Sequence, residues 1–273
     1  MARSPYLGPL KAVILDWAGT TVDFGSIAPV IAFVEVFAHN GVQITQEQAR
    51  APMGKHKRDH IAEIAAMAPV TAAWREKHGA PPGDADIDAM FRQFVPIQME
   101  CLKKHSELIP GALQAAAEFR RRGLKIGGTT GYTAEMMAIL EPEAARQGYT
   151  PDASVNASEV SAGRPAPWMC LLNMIRLGVY PAEACVKIGD TMPDIAEGLN
   201  AGMWTIGVAR TGNEIGLSES DLDRLPAAEL DARLERARQK LLDAGAHYAV
   251  GGVGDVPPLL DEINARLSGG ERP

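Results

Sequence analysis

The chain has 273 residues, 46% of them hydrophobic, enough for one large or two ordinary domains with a full core. Its formal net charge of −7 leaves no basic surplus to neutralise phosphates, which excludes nucleic acid as the main partner. No apolar run approaches the ~20 residues of a membrane span, the start Met1-Ala2-Arg3-Ser4-Pro5 lacks the apolar stretch of a leader, and Cys101, Cys170 and Cys185 show no metal or disulfide spacing, so a soluble, cytoplasmic protein is expected.

The first predicted element is the apolar run Ala12 to Leu15, read as a strand buried on both faces. Asp16 follows it, at the carboxyl edge where open α/β sheets bind ligands. Gly19 allows a sharp turn, and Thr20 and Thr21 offer hydroxyls. The pattern then becomes helical: Pro29 to His39, ended by Asn40-Gly41; a short helix opened by a Thr45/Gln48 capping box and ended by Pro52; Lys55 to Met67, ended by Pro69; Val70 to His78; and Ala85 to His105, capped by Asp84. No strand signal interrupts residues 22–107, which are read as a helical insertion.

From Pro110 the chain alternates. Helices are predicted at Ala112 to Arg122, Thr133 to Gln147 with a break at Pro142, Pro167 to Leu177 and Asp194 to Asn200. Strands are predicted at Leu124 to Gly128, Ala184 to Ile188 and Met203 to Val208. Ala227 to Ala244 carries Leu230, Leu234 and Leu241 on one amphipathic stripe, His247 to Val250 is an edge strand, and Pro257 to Leu267 is the last helix, with a loose tail from Ser268. The reading is an α/β fold: a Rossmann-like, doubly wound parallel sheet core formed by residues 1–21 and 108–273, interrupted by an all-helical domain at 22–107.

Chemistry-bearing residues recur at the ends of these strands. Asp16 follows the first, Thr129-Thr130-Gly131-Tyr132 the second, and Gly189-Asp190-Thr191 with Asp194 the third, while Arg164 stands alone in the loop Ala162-Gly163-Arg164-Pro165. In this order the four segments resemble the motifs of the haloacid dehalogenase superfamily of phosphoryl-transfer enzymes. With Asp16-Trp17-Ala18-Gly19-Thr20-Thr21-Val22-Asp23, Pro52-Met53-Gly54, Lys57, His60 and Pro167-Trp168-Met169-Cys170, the chain is similar to the phosphonatase family of that superfamily, from about Val13 to Thr205 and more loosely to His247.

The resemblance implies that residues 22–107 form a cap over the active site and that the family dimerises through this cap. It implies an aspartyl-phosphate enzyme with Asp16 as nucleophile, and Mg²⁺ held by Asp16, the Ala18 carbonyl and Asp190, with Asp194 and Thr191 holding metal-bound water. Thr130, Gly131 and Arg164 would bind the phosphonyl group, with Met53 and Tyr132 lining the site. The implied substrate is the small phosphonate phosphonoacetaldehyde, in the breakdown of 2-aminoethylphosphonate.

Two positions refine this. Typical phosphatases of the superfamily carry a second aspartate two residues after the nucleophile, as acid for the leaving alcohol. Ala18 has no proton to give, so either the leaving group needs no such acid or the acid comes from elsewhere. Lysine condenses with aldehydes, and an iminium adjacent to the carbon–phosphorus bond accepts the electrons released when that bond breaks. By resemblance Lys57 is the lysine. At about 100° per residue, Met53, Lys57 and His60 would share a helix face if the helix begins that early, with Lys55 nearly opposite. His60 is the candidate proton shuttle or amine-positioning group, and neighbouring Arg164 and Mg²⁺ are expected to depress the amine's pKa. Ser26 occupies a position where family members can carry a pocket cysteine.

Overall fold

The first strand, β1 (Ala12–Asp16), is buried along its whole length and ends on Asp16 itself, so the carboxylate belongs to the last strand residue. The structure, a computed structural model, describes residues 5–273. Five helices follow: α1 (Ile27–His39), α2 (Gln46–Arg50), α3 (Lys57–Ala66), α4 (Ala68–His78) and α5 (Asp84–Leu102). After them come α6 (Ala112–Arg121), β2 (Lys125–Thr130), α7 (Ala134–Arg146), β3 (Ala153–Asn156), α8 (Trp168–Leu177), β4 (Cys185–Gly189) and α9 (Met192–Asn200). The chain ends with β5 (Trp204–Val208), α10 (Glu219–Leu222), α11 (Ala227–Asp243), β6 (Tyr248–Val250) and α12 (Leu259–Ser268).

The strands pair in parallel in the order β3-β2-β1-β4-β5-β6. β1 therefore has β2 on one side and β4 on the other, which is the topological switch point where such sheets open a ligand crevice. Its side chains alternate. Val13 and Leu15 join a cluster with Phe119 of α6 and Leu260 and Ile263 of α12, whereas Ala12 and Ile14 join Cys170 and Met174 of α8. Both faces are covered, as the unbroken apolar run requires. Register puts Asp16 opposite Thr129. Among the five inserted helices α1 packs along α5, Phe33 stacks on Phe94 with ring centroids 4.5 Å apart, and their apolar side chains run on into the same cluster as Val13 and Leu15.

Several boundaries differ from the sequence reading. β3 carried no signal because, of Ala-Ser-Val-Asn, Val155 alone is buried. The helix expected from Lys55 begins at Lys57, so Met53 lies in the preceding turn and shares no helix face with Lys57. Pro69 opens α4 at its first turn, where a missing N–H costs nothing. Gly83, not Asp84, is the N-cap of α5, and its N–H is met by Asp86 Oδ2 at 2.8 Å; the helix ends at Leu102 instead of His105. α7 runs through Pro142, held by the burial of Met136, Met137, Leu140 and Ala144. α9 begins at Met192, with Thr191 as its N-cap. The short helix α10 was not anticipated, and the tail is tied back by a Glu271–Arg266 ion pair. Among the described residues no helix is long and apolar enough to cross a membrane.

Candidate active site

Parallel register carries Asp16, Thr129, Thr130 and Asp190 to one edge of the sheet, and the loop between β3 and α8 lowers Arg164 onto them. The guanidinium is almost fully buried and spends its donors inward: Nη2 lies 2.6 Å from Asp16 Oδ1, 3.0 Å from Asp194 Oδ1 and 2.8 Å from Thr129 Oγ1, and Nε donates to Glu197 Oε2 at 2.9 Å. A second cation enters from inside the sheet. Lys187 Nζ meets Asp194 Oδ1 at 2.7 Å and Thr129 Oγ1 at 2.8 Å, with Glu197 Oε2 at 3.5 Å. Asp194 is thus occupied on one oxygen by both cations and on the other by the Thr191 hydroxyl and N–H. Burial would raise its pKa, but Arg164 and Lys187 outweigh that and hold it below the usual range.

Asp190 is the opposite case. Burial, then Asp16 and Asp194, push its carboxyl well above the usual range. Its Oδ2 accepts from the Asn213 N–H at 2.7 Å and from Ser26 Oγ at 3.3 Å, while Oδ1 is buried with no partner. Asp16 is also raised, by burial and then by Asp194, with Arg164 and Lys187 pulling it back. Ligand oxygens of Asp16, Asp190 and Asp194 all lie within 4.8 Å of one another. An orphaned buried carboxylate oxygen beside two more carboxylates is a donor set suited to a hard divalent cation, so the residues present fit a metal.

The opposite wall comes from the inserted helices. A small cavity is lined on one side by Asp16, Ala18, Thr130, Gly131 and Arg164 and on the other by Met53, Gly54 and Lys57. Tyr132, Asp190, Thr191, Ser26 and Pro29 complete it. Gly54 makes this closeness possible. Its φ is +92°, and an added Cβ would stand 2.3 Å from Thr191 Oγ1. Lys57 is 4% exposed, with Nζ over the rings of Tyr132 and Phe33 at 4.9 and 5.6 Å. Burial is the main cause that pushes its amine down to about 8; Asp16 opposes this and Arg164 assists. The expected cause, neighbouring cations, is therefore secondary to desolvation.

A family model described as a haloacid dehalogenase-like hydrolase matches residues 10–202. The chain is 50% identical to a phosphonoacetaldehyde hydrolase of Nitratidesulfovibrio vulgaris, over 98% of this chain and 96% of that protein. It is 51% identical to one from Syntrophobacter fumaroxidans, over 99% and 98%. A crystal structure of a phosphonoacetaldehyde hydrolase-like protein from Oleispira antarctica superposes with a TM-score of 0.98 at 42% identity, covering 100% of this chain and 99% of that one. The chain belongs to the phosphonoacetaldehyde hydrolase family of the haloacid dehalogenase-like hydrolases.

In this member of the family the cavity collects Asp16, Ala18, Met53, Lys57, Thr130, Gly131, Tyr132, Arg164, Asp190 and Thr191. Asp194 lies behind it, both in the ionic cluster and as the capping-box partner of Thr191 in α9. His60 is not among the lining residues. It is fully buried and stacked on Phe33 with centroids 3.7 Å apart, and its Nε2 faces the Ala49 carbonyl at 2.8 Å. A carbonyl only accepts, so Nε2 carries the proton and the partnerless Nδ1 is bare. Burial, then Lys57, hold this ring well below the usual histidine range. Sequence reasoning named Thr129 in its strand-end motif without a role and missed Lys187, Glu197, Phe33, Arg50 and Asn213. For Lys187 and Glu197 a signal existed: a lysine inside a buried strand and a glutamate on the buried face of a helix demand partners.

Proposed function

We propose that this protein hydrolyses the carbon–phosphorus bond of phosphonoacetaldehyde to acetaldehyde and phosphate. The observation that carries the reading is a buried lysine that makes no ion pair among the described residues, lining the same cavity as a strand-end aspartate. The neutral Lys57 amine adds to the aldehyde carbon and water leaves, giving an imine that is protonated to the iminium. Asp16 attacks phosphorus; the phosphorus–carbon electron pair moves through carbon to the iminium nitrogen, leaving an enamine on Lys57 and an acyl phosphate on Asp16. The enamine takes a proton at carbon and is hydrolysed to acetaldehyde, which frees Lys57. A second water releases phosphate from Asp16. In this scheme the carbon leaves as an enamine, so the acid missing at Ala18 is not needed.

Arg164, Thr130 and the Gly131 N–H would hold the phosphonyl oxygens, and Met53 and Tyr132 would wall the aldehyde end. Asp16, the Ala18 carbonyl and Asp190 would hold Mg²⁺, with Asp194 and Thr191 ordering its water; the cation supplies charge neutralisation for attack on an anionic substrate. His60, as the Nε2–H tautomer, supports Phe33 beneath Lys57 and so has a positioning role. Residues 22–107 act as a cap on the core of 1–21 and 108–273, and a homodimer through the cap, a cytoplasmic location and a place in 2-aminoethylphosphonate degradation complete the reading.

The test is acetaldehyde release from phosphonoacetaldehyde with Mg²⁺, for wild type and Lys57→Arg, with borohydride trapping read by peptide mass. Release and trapping at Lys57 in wild type, both lost in the variant, are expected. Equal release by a folded Lys57→Arg protein would remove the imine route.

A further inference from the structure

Arg50 closes α2, seven residues before Lys57, and belongs to the inserted helices, yet its guanidinium is spent on the core and on the crossing segment that leaves it. Nη1 donates to the Gly25 carbonyl at 2.8 Å and to Asn213 Oδ1 at 3.1 Å, and Nη2 donates to the Gly216 carbonyl at 2.8 Å. Asn213 answers with Nδ2 on the Arg50 carbonyl at 3.4 Å. The receiving loop is shaped for this: Gly216 has φ +64°, and a Cβ there would stand 2.5 Å from Arg50 Nε. Outside the two crossing segments, the hydrogen bonds that join α2–α5 to the core among the described residues are those of Arg50 and Asn213 and one from Arg164 Nη1 to the Gly54 carbonyl at 3.4 Å.

The same asparagine holds the metal-facing edge, since its backbone N–H donates to Asp190 Oδ2 at 2.7 Å. The crossing segment is bound in too. Asp23 and Ser26 are both left-handed non-glycine residues, with φ 55° and 49°, Ser26 Oγ also reaches Asp190, and Arg50 grips the carbonyl between them. One side chain therefore joins the helical segment leading to Lys57, the crossing segment and the loop that orients Asp190.

We propose that Arg50 is a positioning residue that latches the Lys57-bearing helices onto the core and, through Asn213, couples that closed arrangement to the orientation of Asp190. The proposal rests on the reading of Lys57 and Asp190 given above, but its test does not depend on the substrate. Arg50 touches none of the reacting groups and holds no carboxylate, so the effect is conformational: without the latch, the two walls of the cavity part more often.

The experiment compares wild type, Arg50→Ala and Gly216→Ala without substrate. It measures reductive methylation of Lys57 and Lys187 by peptide mass, thermal unfolding, and calorimetric titration with Mg²⁺. Lys57 should label about tenfold or more faster in both variants, while Lys187 keeps its wild-type rate, because opening exposes the cavity wall and not the sheet interior. Mg²⁺ affinity should fall several-fold in parallel, as linkage requires of coupled sites. Folded variants that label Lys57 at the wild-type rate, or label Lys57 and Lys187 equally faster, overturn the latch. If Arg50→Ala does not melt cooperatively, Gly216→Ala decides, since it presses on the same contact with Arg50 intact. A wild type that fails to hydrolyse phosphonoacetaldehyde but shows the labelling contrast would sink the substrate reading and leave the latch standing.

Discussion

Two lysines are buried within this molecule, and their surroundings drive them in opposite directions. Lys187 sits inside the sheet, where burial and Arg164 would lower its pKa, but Asp194, Glu197 and Asp16 outweigh them and raise it. Lys57 sits in the inserted helices over two aromatic rings, with no ion pair among the described residues, and burial brings it down to about 8. Burial acts downward on both lysines and prevails only where no carboxylate stands close enough to oppose it. A carboxylate within 3 Å makes a lysine a fixed charge that organises the core site, and its replacement by ring faces makes a lysine an available nucleophile. In the proposed reaction the core half would supply the attacking Asp16 within an electrostatic scaffold, and the helical half would supply the amine.

The largest effect that would break this contrast concerns activity. Lys57→Met should lower acetaldehyde release by on the order of 10⁴-fold, the scale of losing a covalent nucleophile. Its thermal stability should stay within about 1 kcal/mol of wild type or rise, because a poorly solvated amine is replaced by an apolar chain. Lys187→Met should do the reverse in kind. It leaves Arg164 as the one cation shared by Asp16, Asp194 and Glu197 in the interior, at a cost of about 3 kcal/mol of stability, measured by denaturant or thermal unfolding. An undestabilised Lys187→Met would show that the cluster does not need its second cation.

Arg164→Lys tests the geometry of the scaffold rather than its charge. A lysine cannot serve Glu197 with one nitrogen and Asp16 and Thr129 with another, so kcat/KM should drop roughly 10- to 100-fold while the fold persists. The smallest effect is a pH dependence. With Lys57 near 8, its neutral fraction rises about tenfold per pH unit below that value and levels off above it. Acetaldehyde release at limiting substrate should climb with pH and flatten above 8. A profile flat from pH 6 to pH 9, measured with saturating Mg²⁺, would mean that imine formation does not limit the rate.

The core face of the site was legible at the level of strand ends. Asp16 and Thr130 end an apolar or glycine-containing strand and Asp190 directly follows one, and a parallel sheet brings such ends to one edge. Lys57 was legible through resemblance alone, because a single lysine in a polar helix start looks like any solvated one. Lys187 stood in view inside Val186-Lys187-Ile188 without prompting the question of its counter-ion. Arg50 and Asn213 gave no local signal, since their partners are mostly backbone carbonyls and one another, and backbone has no side-chain pattern to read. His60 shows the converse. The sequence offered a proton shuttle or an amine-positioning group, and the packing, with the ring against Phe33 and one nitrogen on a carbonyl, is the arrangement the second alternative needs.

By itself the sequence determined the α/β alternation, the helical insertion after the first strand and the identity of the strand-end carboxylates. Each follows from hydrophobic period, turn residues and position along a strand, all of which are local. Only the tertiary structure decided which charges are paired, which buried lysine faces aromatic rings instead of a carboxylate, and where the inserted helices touch the core. Those outcomes depend on distances between residues far apart in the chain. Arg164 and Asp16, separated by 148 positions, meet at 2.6 Å because the fold buries both charges at the same sheet edge.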